Sequence, residues 1–194
     1  MKKGFSKILV LAVAVIGLIV PASASAADTY TIDPVHSSLV FRVKHLDIAY
    51  VYGRFNQLTG TLTIDENDPA QNAVRASVEA ANVDTDNDKR DSHLRSPDFF
   101  NIEEHRLVSF ESTSFEKTGS DTYRVKGNLT MLGVTRPIEV TAYHTGSGKD
   151  PWGGFRTGYE TTFTIKRSEF GMDYLLGGVG DEVTIYLAVE AVRQ

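Results

Sequence analysis

From Tyr30 onward the apolar residues of this chain recur at every second position, in eight successive stretches separated by turn-forming residues. A period of two sends alternate side chains to opposite faces of a strand, so the chain is constrained to a meander of antiparallel strands with one dry face. Leu39, Phe41, Val43 and His45 share one face of the first strand, while Val40, Arg42 and Lys44 share the other. The second stretch carries Gly53 and Phe55, then Leu58, Gly60, Leu62 and Ile64. Its parity changes between Phe55 and Leu58, which predicts a bulge or bend near Asn56 and Gln57. The same alternation runs through Val74–Ala80, Val108–Phe110, Tyr123–Met131, Ile138–Ala142, Phe155–Ile165 and Val183–Val189.

One segment breaks the period. Asn82–Ser96 is polar, offers several N-cap residues and is followed by Pro97, so a short surface helix is predicted from about Asp86 to Leu94. Phe99 and Phe100 follow at once and are placed to fold it over one end of the sheet.

Eight sequential strands with one apolar face satisfy either a sandwich or a closed barrel, and closure removes the exposed edges, which favours the barrel. An eight-stranded interior is just wide enough to be filled by side chains or to hold one small ligand. A membrane barrel would turn Arg42, Lys44, Arg75, Glu79, Glu111, Arg124, Lys126 and Glu139 toward lipid. At about 2 to 4 kcal/mol for each Arg or Lys at the midplane, that arrangement is rejected.

The N-terminus follows a different rule. Lys2, Lys3 and Lys7 precede an unbroken apolar and Gly run from Ile8 to Val20, and small residues follow Pro21 up to Ala26. This is the layout of a cleaved secretory signal, and the run is short for a span of about 20 residues. Cleavage after Ala26, with Ala24 as the alternative, leaves 168 of the 194 residues as one domain, 27–194. Loss of the three lysines takes the formal charge from −5 to −8, which argues against nucleic acid or an anionic membrane as partner. The chain has no Cys, which excludes disulfides, thiolate metal sites, a thiol nucleophile and a lipidated cysteine.

Catalytic signals are weak. His36, His45, His93, His105 and His144 show no HxxxH or HxH spacing, and the loose set of His93, Glu103, Glu104 and His105 reads as capping and solvation, so no metal is assigned. There is no GxSxG motif and no recognisable acid/base pair, so no catalytic residue is assigned either. His45, on the inward face, reads as a hydrogen-bonded core histidine or as a polar group at a pocket mouth. The inward face instead points to an apolar cavity lined by Leu39, Phe41, Val43, Phe55, Phe99, Phe100, Phe110, Leu129, Tyr159 and Phe163. Whether these residues fill the interior or line a void is left open by sequence. For a headgroup the candidates are His36, His45, Arg95, Arg136 and Arg167, the arginines reading equally as solvated loop residues near strand ends.

Ile32-Asp-Pro-Val-His-Ser37, Tyr52-Gly-Arg-Phe55, Val83-Asp-Thr85, Arg90-Asp-Ser-His-Leu-Arg-Ser-Pro-Asp-Phe99 and Phe110-Glu-Ser112 stand in order along the chain. Gly127-Asn-Leu-Thr-Met-Leu-Gly-Val-Thr-Arg-Pro137, Asp150-Pro-Trp-Gly-Gly154 and a last strand ending near Glu190 complete the set. This ordered set resembles the YceI-like family of secreted, polyisoprenoid-binding proteins over essentially the whole mature chain. The Asp150–Gly154 loop makes it particularly similar to Gram-negative periplasmic members. One departure is Glu104-His105-Arg106, where many members carry Tyr-Pro. The resemblance implies a lipocalin-like antiparallel barrel whose cavity holds a polyisoprenoid or quinone-like lipid, or another long-chain amphiphile, with no catalysis and no cofactor. The expected function is therefore a periplasmic carrier. An enzyme working on such a lipid through His36 or His45, and a fully packed interaction module, are the alternatives; a homodimer is left open.

Overall fold

The computed structural model describes residues 27–194; the expected signal segment, 1–26, lies outside the described residues. Eleven strand segments form one sheet: β1 (Asp28–Ile32), β2 (Ser38–His45), β3 (Ala49–Phe55), β4 (Thr59–Ile64), β5 (Ala73–Glu79) and β6 (Val83–Asp84). After the helix α1 (Asp88–Arg95) come β7 (Leu107–Lys117), β8 (Thr122–Met131), β9 (Val134–Lys149), β10 (Phe155–Lys166) and β11 (Val179–Arg193).

The eleven segments make eight barrel strands. β1 and β2 both lie along the free edge of β11, with Ile32 opposite Ala191 and Ser38 opposite Ala188, and are split by the turn after Ile32. β3 and β4 likewise form one strand, since β3 pairs with β2 and β4 with β1. β5 and β6 continue the pattern. Because β1 pairs with β4 on one side and β11 on the other, the meander closes as an all-antiparallel eight-stranded barrel. The parity change after Phe55 is the break between β3 and β4, where Gln57 adopts φ 61°. A split strand achieves what the bend was expected to achieve, since it turns the sheet while returning Leu58 and Leu62 to the inside, where both are buried.

Charged side chains lie outward and pair across strands: Arg75 with Glu111, Arg124 with Glu116, and Lys126 with Glu139. No helix among the described residues is long and apolar enough to cross a membrane.

Helix α1 starts where Asn87 accepts a hydrogen bond from the Arg90 N–H at 2.9 Å, with Asp88 and Asp91 in its first turn and His93 and Arg95 in its last. Its polar residues sew it to β6. Buried Asp91 accepts from the Thr85 N–H at 2.9 Å and the Thr85 hydroxyl at 2.5 Å, and Arg90 Nη2 donates to the Thr85 carbonyl at 2.6 Å. The chain then delivers Phe99 and Phe100 into a packed cluster with Val83, Leu129, Met131, Phe170 and Met172. This plug closes one end of the barrel. Near the other end, Tyr30, Ile32, Leu62 and Ala191 pack along β1, β4 and β11, and Phe115, Val125 and Ala142 pack across β7, β8 and β9.

Candidate ligand cavity

Between these clusters the interior is not filled. A cavity of about 230 Å³ with an apolar wall runs along the inner faces of β2, β7, β8, β9, β10 and β11. The inward residues Leu39, Phe41, Phe110, Val140, Tyr159, Phe163, Ile165, Leu187 and Val189 are only half-buried although they point inward, because they border this void. Two inward glycines keep it open. A Cβ on Gly53 would overlap the Phe41 ring, and one on Gly127 would overlap the Phe110 ring, so each ring lies back against a strand where a larger residue would push it into the cavity.

Of the residues expected to line a cavity, Leu39, Phe41, Phe55, Phe100, Phe110, Leu129, Tyr159 and Phe163 border it. Val43 and Phe99 do not. Val43 faces inward opposite Val183 and Val51 but lies beyond the end of the void. Phe99 is consumed by the plug, packed edge-on against His93 and Tyr174 at 5.0 and 5.4 Å. Phe41, Phe55 and Phe100 form an aromatic trio at that end, with ring centroids 5.7 and 5.3 Å apart in sequence.

The expected headgroup contacts are scattered rather than gathered. His45 is exposed at the tip of the β2–β3 hairpin, which overturns its reading as a core histidine; the strand ends before the parity can carry it inside. His36 lies beyond the opposite end of β2 and is also exposed. Neither borders the cavity. Arg95 donates to the carbonyls of Ala81 and Val83 at 2.8 Å each, pinning α1 to the barrel rim, and Arg136 donates outside to the Glu169 carbonyl at 2.9 Å. Arg167 does border the cavity and is 2% exposed, but it donates to the carbonyls of Gly180, Met172, Tyr174 and Val179 at 2.7–2.9 Å. Burial pushes its pKa down. It is a strut for the loop before β11.

Two polar groupings escaped the sequence reading. At the barrel end where β1 and β11 finish, Arg156 Nη1 donates to Asp33 at 2.7 Å and Glu190 at 2.6 Å, and its Nε donates to Asp150 at 2.9 Å. His36 Nδ1 also lies 2.8 Å from Asp33. Hydrogen bonds from His36 and then Arg156 hold the Asp33 carboxyl well below the usual carboxylate range. Asp150 is lowered by Arg156 and by the N–H groups of Gly154 and Trp152, which explains why its loop begins with that residue. Asp33, His36 and Glu190 converge closely enough to ligate a metal, but Arg156 bridges the two carboxylates and already supplies their positive partner.

The second grouping reaches the cavity only through Tyr159. The β9–β10 register shifts between Gly158 and Tyr159, so that Tyr159 faces His144 while Thr157 faces Ser147. The bulge brings the four together at one corner of the barrel, with Thr157 buried and Ser147 exposed. His144 Nε2 lies 2.8 Å from the Ser147 hydroxyl, which donates to Thr157 at 2.9 Å, and the Tyr159 phenol follows next to Thr157. Burial raises the Tyr159 pKa to about 12. Two positions further along the same face is Thr161, buried at 9% exposure, bordering the cavity, and with no hydrogen-bond partner for its hydroxyl among the described residues. Inward parity with Tyr159 and Phe163 was the available signal for it.

A closed antiparallel barrel around an apolar cavity is the architecture of a binding protein. The comparisons agree on the family. The YceI-like domain model matches residues 30–191, and the chain belongs to that family. A UPF0312 protein of Pseudomonas aeruginosa strain LESB58 is 42% identical over 179 residues, 91% of this chain and 93% of its own. The crystal structure of the Campylobacter jejuni YCEI protein matches with a TM-score of 0.70 at 27% identity, over 78% of this chain and 90% of that one. A polyisoprenoid binding domain from Saccharophagus degradans, implicated in plant cell wall breakdown, shares the fold with a TM-score of 0.67 at 15% identity, over 85% of this chain and 98% of that one.

Proposed function

We propose that this chain is a non-catalytic periplasmic carrier that holds a long-chain isoprenoid lipid, polyprenyl or quinone-like, or a related amphiphile, inside the barrel. The observation that carries this reading is the void between packed ends: a domain selected only for stability fills such a space, since each lost packing contact costs free energy. The Saccharophagus domain, described as polyisoprenoid binding, supports the ligand class. An apolar wall is enough for affinity. Burying a CH₂ group contributes about 0.8 kcal/mol, so a ten-carbon stretch brings roughly 8 kcal/mol before ordering costs. The 230 Å³ void is smaller than the roughly 300–1,000 Å³ of clefts that enclose drug-sized ligands, so a long chain extends it by swinging the Phe41, Phe55 and Phe100 rings.

The test is extraction of protein purified from its own periplasm into organic solvent, followed by mass spectrometry, with N-terminal sequencing of the same sample. The reading expects a prenyl-chain lipid and a mature chain starting at Ala27. Repeated recovery of no lipid, together with no binding of added prenyl alcohols or quinones, sinks the carrier role; a cytoplasmic, uncleaved chain sinks the compartment.

A further inference from the structure

At the Arg167 end of the barrel two loops hold large apolar side chains in water: Leu46 and Ile48 at the β2–β3 tip, and Leu175 and Leu176 before β11. Ile48 is 81% exposed. The loops are joined, since the Leu46 N–H donates to the Gly178 carbonyl at 2.8 Å and His45 pairs with Val179, so the four side chains rise from one platform. Leu46 and Leu175 adopt left-handed backbone, with φ 52° and 54°, where glycine or asparagine is the ordinary occupant. A leucine in that conformation costs stability and, left in water, recovers none of it within the chain. Such a crown is accounted for when something apolar covers it.

Below the crown the outer wall changes in the order of a bilayer interface. Tyr50 and Tyr52 follow Ile48 by two and four residues, roughly 7 and 14 Å along β3, and both are half exposed on the outer face. Tyrosine, with an apolar body and a polar tip, suits the boundary between acyl chains and water. Opposite Tyr52 stands Arg42, its guanidinium carbon 4.5 Å from the Tyr50 ring centroid. The neighbouring cations Lys44 and Arg54 pair with Asp47 and Asp84, whereas Arg42 has no carboxylate partner among the described residues; a lipid phosphate complements it.

The crown is also continuous with the cavity. The Tyr174 ring, one residue before Leu175, packs against Phe99, and from its neighbour Phe100 the rings of Phe55 and Phe41 lead into the void. The opposite end is unsuited. Val35 and Trp152 are exposed there, but they stand beside Asp33, Asp150 and Glu190, three carboxylates around one arginine, which repel phosphate.

Building on the carrier reading, we infer that the crown is the face on which the barrel docks to a phospholipid surface. Leu46, Ile48, Leu175 and Leu176 enter the acyl boundary, and Tyr50, Tyr52 and Arg42 meet the headgroups. The prenyl lipid then passes between bilayer and cavity past the plug rings without crossing water.

The experiment mixes the chain 27–194, which holds every strand of the closed barrel, with phosphatidylcholine vesicles. Trp152 is the chain's one tryptophan and reports on the far end; Ile48→Trp combined with Trp152→Phe reports on the crown. Vesicles are expected to shift the emission of the Ile48→Trp reporter to the blue and to leave that of Trp152 unchanged. Ile48→Asp with Leu176→Asp is expected to weaken vesicle binding, read by flotation, about a hundredfold, tenfold for each inserted aliphatic side chain. The same double variant keeps the parent's melting temperature and its calorimetric affinity for farnesol, since neither residue borders the cavity. An Ile48→Trp reporter that stays in water, a blue shift of Trp152 alone, or a double variant that floats as the parent does overturns the docking face. Self-association of the parent through these residues in place of vesicle binding also overturns it and marks a protein interface. Farnesol bound with vesicles ignored overturns the docking face alone; no farnesol bound by the parent overturns the carrier reading.

Discussion

Two arginines on one strand take opposite kinds of partner. Arg156, the second residue of β10, is held by the carboxylates of Asp33, Asp150 and Glu190, whereas Arg167, just past its other end, is held by four backbone carbonyls. Both fasten an end of the barrel, but by different physics. The first is a charge cluster that depends on ionised acids; the second is a set of neutral acceptors that would have no donor without the guanidinium. Between them lies a wall that contributes little packing. The ends therefore hold the barrel together so that its middle can stay open.

The largest effect is expected at the Arg167 end. Arg167→Met leaves four carbonyls without their donor, and at roughly 1 kcal/mol or more for each bond the loss is about 4 kcal/mol. Urea unfolding should show it as a large drop in midpoint that persists on acidification, because the four carbonyls do not titrate and the nearby Asp181 carboxyl, lowered against its burial mainly by hydrogen bonds from Ser168, owes only a lesser part of that shift to Arg167.

At the other end the effect must depend on pH. Asp33 has a folded-state pKa below its unfolded value of about 3.9, so its contribution is fully present above that value and is lost as pH falls toward the folded-state pKa. Asp33→Asn should therefore lower the melting temperature at neutral pH, and the gap to the parent should narrow as the pH is taken below about 4. A gap that stays constant on acidification would mean that Asn disrupts the turn rather than the charge cluster.

The open middle makes a third, opposite prediction. Val140 is half-buried and borders the void, so Val140→Phe should be accommodated with a change in stability within about 1 kcal/mol while lowering lipid loading by tenfold or more. Destabilisation by several kcal/mol would show that the space is not there. The smallest effect belongs to the outer face: Glu111→Ala removes an ion pair between exposed side chains and should change unfolding free energy by less than about 0.5 kcal/mol.

What could be read from sequence follows from how local the signal is. Period-two alternation is local, so the strands, the inward faces and the break after Phe55 were legible. Helix α1 was legible from the polar, cap-rich Asn82–Ser96 segment and Pro97, within two residues at its start. The state of the interior was not, because parity tells which way Phe41 or Phe110 points but not whether another side chain meets it. Val43 and Phe99 show this limit: one points inward past the end of the void and the other is used up by the plug. The Arg156 cluster joins residues as far apart as Asp33 and Glu190, which only the closed barrel brings together. His45 misled because inward parity continues on paper for one residue more than the barrel wall does.

The central claim is that the void between the two arginine-fastened ends is a lipid site, and a crystal structure of the chain grown with farnesol tests it most directly. Continuous chain density is expected along Phe41, Phe110, Leu187 and Phe163, the apolar residues that border the void. An empty cavity with density only on the outer face of the barrel, or an interior collapsed around its own rings, would contradict it.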